Sequence, residues 1–248
     1  MGRLQGIYIT MEAPNLSVPD EDYHREISRE LARHMKKLLP EKGELKALVV
    51  GLGNREITPD SLGPDVISNL HITRHLIQEY GTLGMGETCV HSVSGLVPGV
   101  MAQTGMETME IIRGVVEETK PDVVIAIDAL AARSVKRLNR TIQLTDTGIQ
   151  PGSGVGNHRN GLSETTLGVK VIGIGVPTVV DAATIVQDAM SHLLDALEEQ
   201  EKKEFLEEMI TPSLHSMFMT PKDVDETIKR LSYTISEGLN LTFAKAEA

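Results

Sequence analysis

Apolar residues fall along this chain in two rhythms, one with the period of a strand and one with that of a helix. Residues 6–12 (GIYITME) alternate as a short strand does. Asp20 can cap a helix reaching about Leu39, with Ile27, Leu31, Met35 and Leu38 on one face and Pro40 ending it. KALVVGLG (46–53) is a near-continuous apolar run, which is how a strand buried on both faces of a parallel sheet reads. Pro64 suits the first turn of a helix that Val66, Leu70, Leu76 and Ile77 carry to about Tyr80. A strand over 87–93, an amphipathic helix over 105–120 and a buried strand over 122–130 (DVVIAIDAL) come next. A strand over 140–146, a glycine-rich loop over 147–161 and a strand over 169–177 follow. Helices over 181–200 and 223–239 close the pattern, the last with Val224, Ile228, Leu231 and Ile235 inward.

Strands alternating with long helices predict an α/β fold, a mostly parallel central sheet with helices on both faces. No internal repeat divides the chain. Residues 1–248 therefore read as one α/β domain, with a C-terminal helical segment from about 203 joined through the charge run 198–204. The formal charge of −11 argues against a nucleic-acid backbone or an anionic membrane as the main partner. One cysteine, Cys89, excludes an intramolecular disulfide and any multi-cysteine metal site. No apolar run approaches the ~18 residues a membrane helix needs, and the start carries no signal-peptide core, so the chain reads as soluble and intracellular.

In open α/β sheets, sites form beyond the carboxyl ends of the strands. Three such ends carry polar residues on glycine- or proline-rich loops: GLGNREITPDSLGP (51–64) with Asn54, Thr58 and Asp60; DALAARS (128–134) with Asp128, Arg133 and Ser134; and GVPTVVDAA (175–183) with Asp181. GLGN lacks the third glycine of a dinucleotide-binding turn, where Glu56 stands. His71 and His75 are one helical turn apart but lack the glutamate of a zinc-peptidase helix, so they read as a solvated face. No Gly-x-Ser-x-Gly elbow supplies a serine nucleophile. Cys89 and the eleven methionines, Met217 and Met219 among them, read as apolar filler. Asp60 could merely cap the helix at Pro64, and Asp181 reads as the cap of the helix it opens. Asp128 ends five apolar residues, where a carboxylate loses hydration unless it is paired or used. Two neighbouring carboxyls that share a proton can activate water and protonate a leaving group without a covalent intermediate. Spacing alone stops there, at an acid-paired α/β hydrolase.

Longer motifs go further. GLGN-x-x-x-TPD-x-LGP (51–64), SGLVPGVMAQTGMET (94–108), KPDVVIAIDALAARS (120–134), DTGIQPGSGVGNHRNGLSETTLG (146–168), VIGIGVPTVVDAATI (171–185) and MFMTPKDVDETI (217–228) occur in order. Over residues 6 to 240 the chain resembles the spore germination proteases of endospore-forming bacteria. That resemblance implies an endopeptidase that degrades small acid-soluble spore proteins in the cytoplasm of the spore core. It implies an atypical aspartic mechanism, with the essential aspartates at Asp60 and Asp128, no cofactor and no metal. It also implies a fold shared with hydrogenase-maturation peptidases, a homotetramer, and a zymogen trimmed by self-cleavage. Only five residues precede the first strand, which predicts activity without that trimming. The segment after Asp181 is shorter than in the bacillus-type enzymes, and Arg55 and His158 depart from the pattern. Two alternatives stand beside this reading: a metal-dependent maturation-type peptidase, which needs a histidine near the acids, and an inactive relative that binds spore proteins.

Overall fold

The computed structural model describes residues 5–84, 91–150, 161–194 and 211–244. The expected loop residues 151–160, Cys89, His158 and the charge run 198–204 lie outside them. A seven-stranded sheet runs in the order β1-β5-β6-β4-β2-β3, with β7 pairing beside β6. Its strands are β1 (Tyr8–Glu12), β2 (Lys46–Gly51), β3 (Ser92–Leu96), β4 (Val123–Ala132), β5 (Thr141–Thr145), β6 (Lys170–Asp181) and β7 (Phe218–Met219). β6, β4, β2 and β3 are parallel, while β5, β1 and β7 join antiparallel at one side. The expected α/β architecture is therefore the observed one.

The period of two along β4 sorts the core. Val123, Ile125 and Ile127 face one side, against α1 (Glu21–Leu38), α2 (Leu62–Ser68) and the C-terminal helix (Val224–Phe243). Val124 and Ala126 face the other, with Met109, Ile112 and Val116 of the helix Thr108–Thr119. All five are fully buried, as the apolar run required. Asp20 caps α1 as expected, its Oδ1 accepting from the Tyr23 N–H at 3.0 Å, a contact worth about 1 kcal/mol.

Two expected elements differ. The helix beginning near Pro64 stops at Ser68, and a second, α3, runs over Arg74–Gly84. The break arises because the intervening backbone bonds elsewhere. Thr73 N–H donates to Val93 O at 3.0 Å, and His71 N–H donates to Asn240 Oδ1 at 2.9 Å. The third strand begins at Ser92 rather than ending at Val93, because its ladder with β2 starts at Lys46↔Ser92.

The topology fixes where a site can form. From β2 the chain crosses to β3 on one flank and then to β4 on the other. Connections leaving the carboxyl ends of β2 and β4 therefore diverge, and a crevice opens between them. At the opposite end of the sheet, the Lys42 ammonium lies 2.7 Å from Asp122 Oδ1, and the Lys46 N–H donates to Oδ2 at 2.7 Å. Burial alone would raise the Asp122 pKa, but Lys42 and the Lys46 amide outweigh it and hold the carboxyl below its usual range. A lowered native value means the stabilisation is present above about pH 4 and is lost as pH falls through that lowered value. Urea unfolding should show Asp122→Asn on the order of 1 kcal/mol less stable at pH 7. The difference should close under acid, and a gap constant with pH would contradict this.

Candidate active site

Asp60 and Asp128 reach the crevice from different elements. β2 ends at Gly51, and the chain then turns through 52–57 into a short 3-10 segment, Thr58–Asp60. Gly53 has φ +113°, a left-handed conformation that favours glycine, and a Cβ there would stand 3.1 Å from Asp60 Oδ1. The turn folds back so that the Asn54 N–H donates to Asp60 Oδ2 at 2.7 Å. α2 then starts hard against the sheet. A Cβ on Gly63 would lie 2.8 Å from Ile127 O and 2.6 Å from Leu52 N, so only glycine allows this approach.

Asp128 belongs to β4 itself, on the face of Val124 and Ala126, and is 5% exposed. Its partner across the ladder is Gly175. A bulge follows: Leu130 pairs with Pro177 and Ala131 with Val179, leaving Thr178 as the extra residue in β6. Thr178 Oγ–H donates to Pro59 O at 2.7 Å, which fastens the residue before Asp60 to the strand beside Asp128. Asp60 and Asp128 line one pocket of about 420 Å³, whose walls are largely apolar: Ile57, Leu130, Val179, Phe218 and Met219.

The other expected site residues take separate places. Asn54 supports Asp60 through its backbone, while its side-chain oxygen accepts from the Glu56 N–H and from Gln103 Nε2, each at 3.1 Å. Thr58 opens the 3-10 segment, and its carbonyl accepts from the Ser61 N–H. Arg133 is exposed beyond the end of β4. Ser134 Oγ–H donates to Asp188 Oδ2 at 2.9 Å, which joins β4's exit to the helix Ala182–Leu194 rather than to the pocket. Asp181 holds the first turn of that helix, accepting from the Thr184 N–H at 2.6 Å and from its Oγ–H at 2.9 Å. Among the described residues no three His, Cys, Asp or Glu side chains converge as metal ligands would. None of the described helices is long and apolar enough to cross a membrane.

Thr178 and β7 are the parts of the pocket that the sequence hid. A threonine inside GVPTVV reads as strand filler. Met217, Phe218 and Met219 are 54%, 41% and 51% exposed rather than packed in the core. A larger cavity of about 750 Å³ between α1 and the C-terminal helix has no strand end in its lining. There His24 lies 2.8 Å from both Thr234 Oγ1 and Val18 O, so both ring nitrogens are engaged in bracing the helices.

The family model for germination proteases matches residues 1–197 and 192–246 of this sequence. The chain belongs to the germination protease family. The germination protease of Caldanaerobacter subterraneus subsp. tengcongensis is 46% identical over 258 residues, covering 97% of this chain and 79% of its own. The Clostridium tetani protein of the same name is 44% identical, covering 99% and 81% respectively. That of Bacillus mycoides is 39% identical over 97% of this chain and 79% of its own. Family membership makes the chain a protease. In structure, a hydrogenase maturation protease from Thermococcus kodakarensis covers 83% of this chain and 98% of its own, at 15% identity and a TM-score of 0.38. A likeness that loose transfers nothing from one site to the other.

If Asp60 is catalytic, the Thr178 tie that places it matters to turnover: Thr178→Val should lower proteolytic kcat by about 10- to 100-fold and cost only about 1 kcal/mol of unfolding stability. Asp181→Asn, which keeps a helix cap, should stay within about twofold of wild type. Equal losses in the two variants would separate the tie from catalysis.

Proposed function

We propose that this protein is an endopeptidase that begins the degradation of small acid-soluble spore proteins during germination, in the spore core, with Asp60 and Asp128 as the catalytic pair. The observation that carries this reading is the convergence of two carboxyls from different strand ends on one pocket of about 420 Å³, in a chain of a protease family.

The chemistry needs one charged and one protonated carboxyl. Asp60 takes the charge, since its Oδ2 already accepts the Asn54 amide at 2.7 Å beside the turn that leads into α2. Asp128, the more deeply buried of the two, carries the proton. Asp60 takes a proton from water as the water oxygen bonds to the scissile carbonyl carbon, and Asp128 gives its proton to the carbonyl oxygen. When the tetrahedral intermediate collapses, the C–N bond breaks and the proton on Asp60 goes to the leaving amine. Asp128 recovers its proton from the intermediate's hydroxyl. No metal takes part and no acyl-enzyme forms.

Incubation of the purified chain with a small acid-soluble spore protein should yield defined fragments by mass spectrometry. Asp60→Asn or Asp128→Asn should each lower kcat by about 10³-fold or more with the fold retained. A chelator should leave the wild-type rate unchanged. Near-normal cleavage by either variant, or loss of the rate on chelation, would sink the paired-aspartate mechanism and favour a metal-dependent peptidase.

The protein acts as a homotetramer in this reading, which the family resemblance supports. The apolar residues Ile228, Leu231 and Ile235 of the C-terminal helix are taken up by the core, so subunit contacts must use other surfaces. Light scattering at micromolar concentration should give about four times the 27.0 kDa of one chain; a mass near 27.0 kDa would contradict it.

A further inference from the structure

β7 is two residues long, lies at a sheet edge and carries large apolar side chains in the open. Native proteins blunt or cover such edges, because unpaired main-chain groups beside apolar side chains recruit other strands. Here the edge is instead held in register with the aspartates. Ala182 N–H donates to Met217 O at 2.9 Å, and the pairs Val180↔Met219 and Asp181↔Phe218 follow. Thr220 Oγ–H donates to Thr178 O at 3.4 Å, and Thr178 in turn holds Pro59 next to Asp60. Phe218, Met219 and Thr220 also line the aspartate pocket.

The ladder's parity decides which groups are on offer. In an antiparallel pair, bonded and non-bonded positions alternate. The Met217 carbonyl and the Met219 main-chain groups therefore turn toward β6, the Met217 N–H donating instead to Leu214 O at 3.3 Å, and Phe218 turns its N–H and C=O away from the strand. Among the described residues neither group of Phe218 meets a main-chain partner.

We propose that β7 is the edge on which an extended segment of the protein substrate adds as a further strand, bonded to the Phe218 main chain. This rests on the reading of the pocket as a peptidase site and deepens it. The pocket is continuous with β7, so a chain lying along β7 needs only to bend over Leu130, Val179 and Met219 to bring a peptide bond to the acids. Main-chain recognition accepts many side chains, and the flexible Met217 and Met219 adapt to whichever side chains lie beside them. The scale is set by strand spacing. An added strand is three spacings of about 4.8 Å from β4, roughly 14 Å, or at least about four extended residues from the bond cut. The docked stretch therefore lies outside the immediate flanks of the scissile bond.

The test uses a fluorescently labelled peptide of about twenty residues, spanning a site that the wild-type enzyme cuts in a small acid-soluble spore protein. Its binding to full-length Asp128→Asn is read by anisotropy, so that binding is measured apart from catalysis. Each peptide amide is N-methylated in turn, which removes one main-chain donor and leaves the side chain. We expect Kd to rise about 3- to 10-fold at one position, or at two positions spaced by two, at least about four residues from the scissile bond. Phe218→Pro, which removes the protein's own donor but keeps its carbonyl, should weaken the unmethylated peptide by a similar factor and leave that methylation effect in place. Phe218→Leu should keep both. A flat methylation profile beyond the scissile flanks overturns strand addition while leaving the peptidase reading intact. Failure of the wild type to cut any small acid-soluble spore protein overturns that reading, and strand addition with it.

Discussion

The site rests on one place where main chain packs directly on main chain. The Leu52 N–H donates to Ile127 O at 2.8 Å, one residue past the ordered end of β2. Gly51 and Gly63 face each other across the same seam, and the Gly63 carbonyl fills the space that a Gly51 side chain would need. With no side chain to hold them apart, the start of α2 presses onto the ends of β2 and β4. The 3-10 segment before α2 is carried in with it, and so is Asp60. A single methyl group in the seam would push the loop outward, because Gly51 is held in the ladder with β4 and the Gly63 carbonyl oxygen would overlap the added carbon.

The remaining ties refine what that seam makes possible. Gly53 lets the chain reverse tightly enough for the Asn54 amide to meet Asp60. From the other side, the extra residue in β6 turns a threonine hydroxyl toward Pro59. Asp60 thus lies on a loop yet is fixed from two strands. Asp128 is fixed by β4 directly, with Val124 and Ala126 buried on the same face below it. Both carboxylates are therefore carried into the pocket by backbone that the sheet holds in place.

Much of this was legible in the residues, and the illegible parts have a common cause. β2, β4 and β6 announce themselves because covered strands need unbroken apolar runs. The caps at Asp20 and Asp181 announce themselves because capping is chemistry of neighbours. Asp128 was conspicuous as a carboxylate at the end of VVIAI, and the motif around Asp60 gave it a partner. The break between α2 and α3 was hidden because Thr73 answers to Val93, and His71 to Asn240, across long separations. Thr178 was hidden because a bulge is a mismatch between two strands and cannot be seen in either one alone. Met217 and Met219 read as filler because nothing local tells an exposed apolar residue from a buried one.

The pairing of α1 with the C-terminal helix bears on when the protein becomes a protease at all. Ser28 Oγ–H donates to Thr234 O at 2.9 Å, a bond between residues 206 positions apart, and Leu31 packs where Gly238 leaves room. The C-terminal helix also holds the segment just after α2, through Asn240 and the His71 amide. One face of the sheet, shared by α1, α2 and this helix, therefore lacks part of its cover until residues 224–243 are made. On the ribosome, the nascent chain carries both aspartates long before it can clamp them together. Synthesis itself thus delays the assembly of the pocket that the two aspartates line.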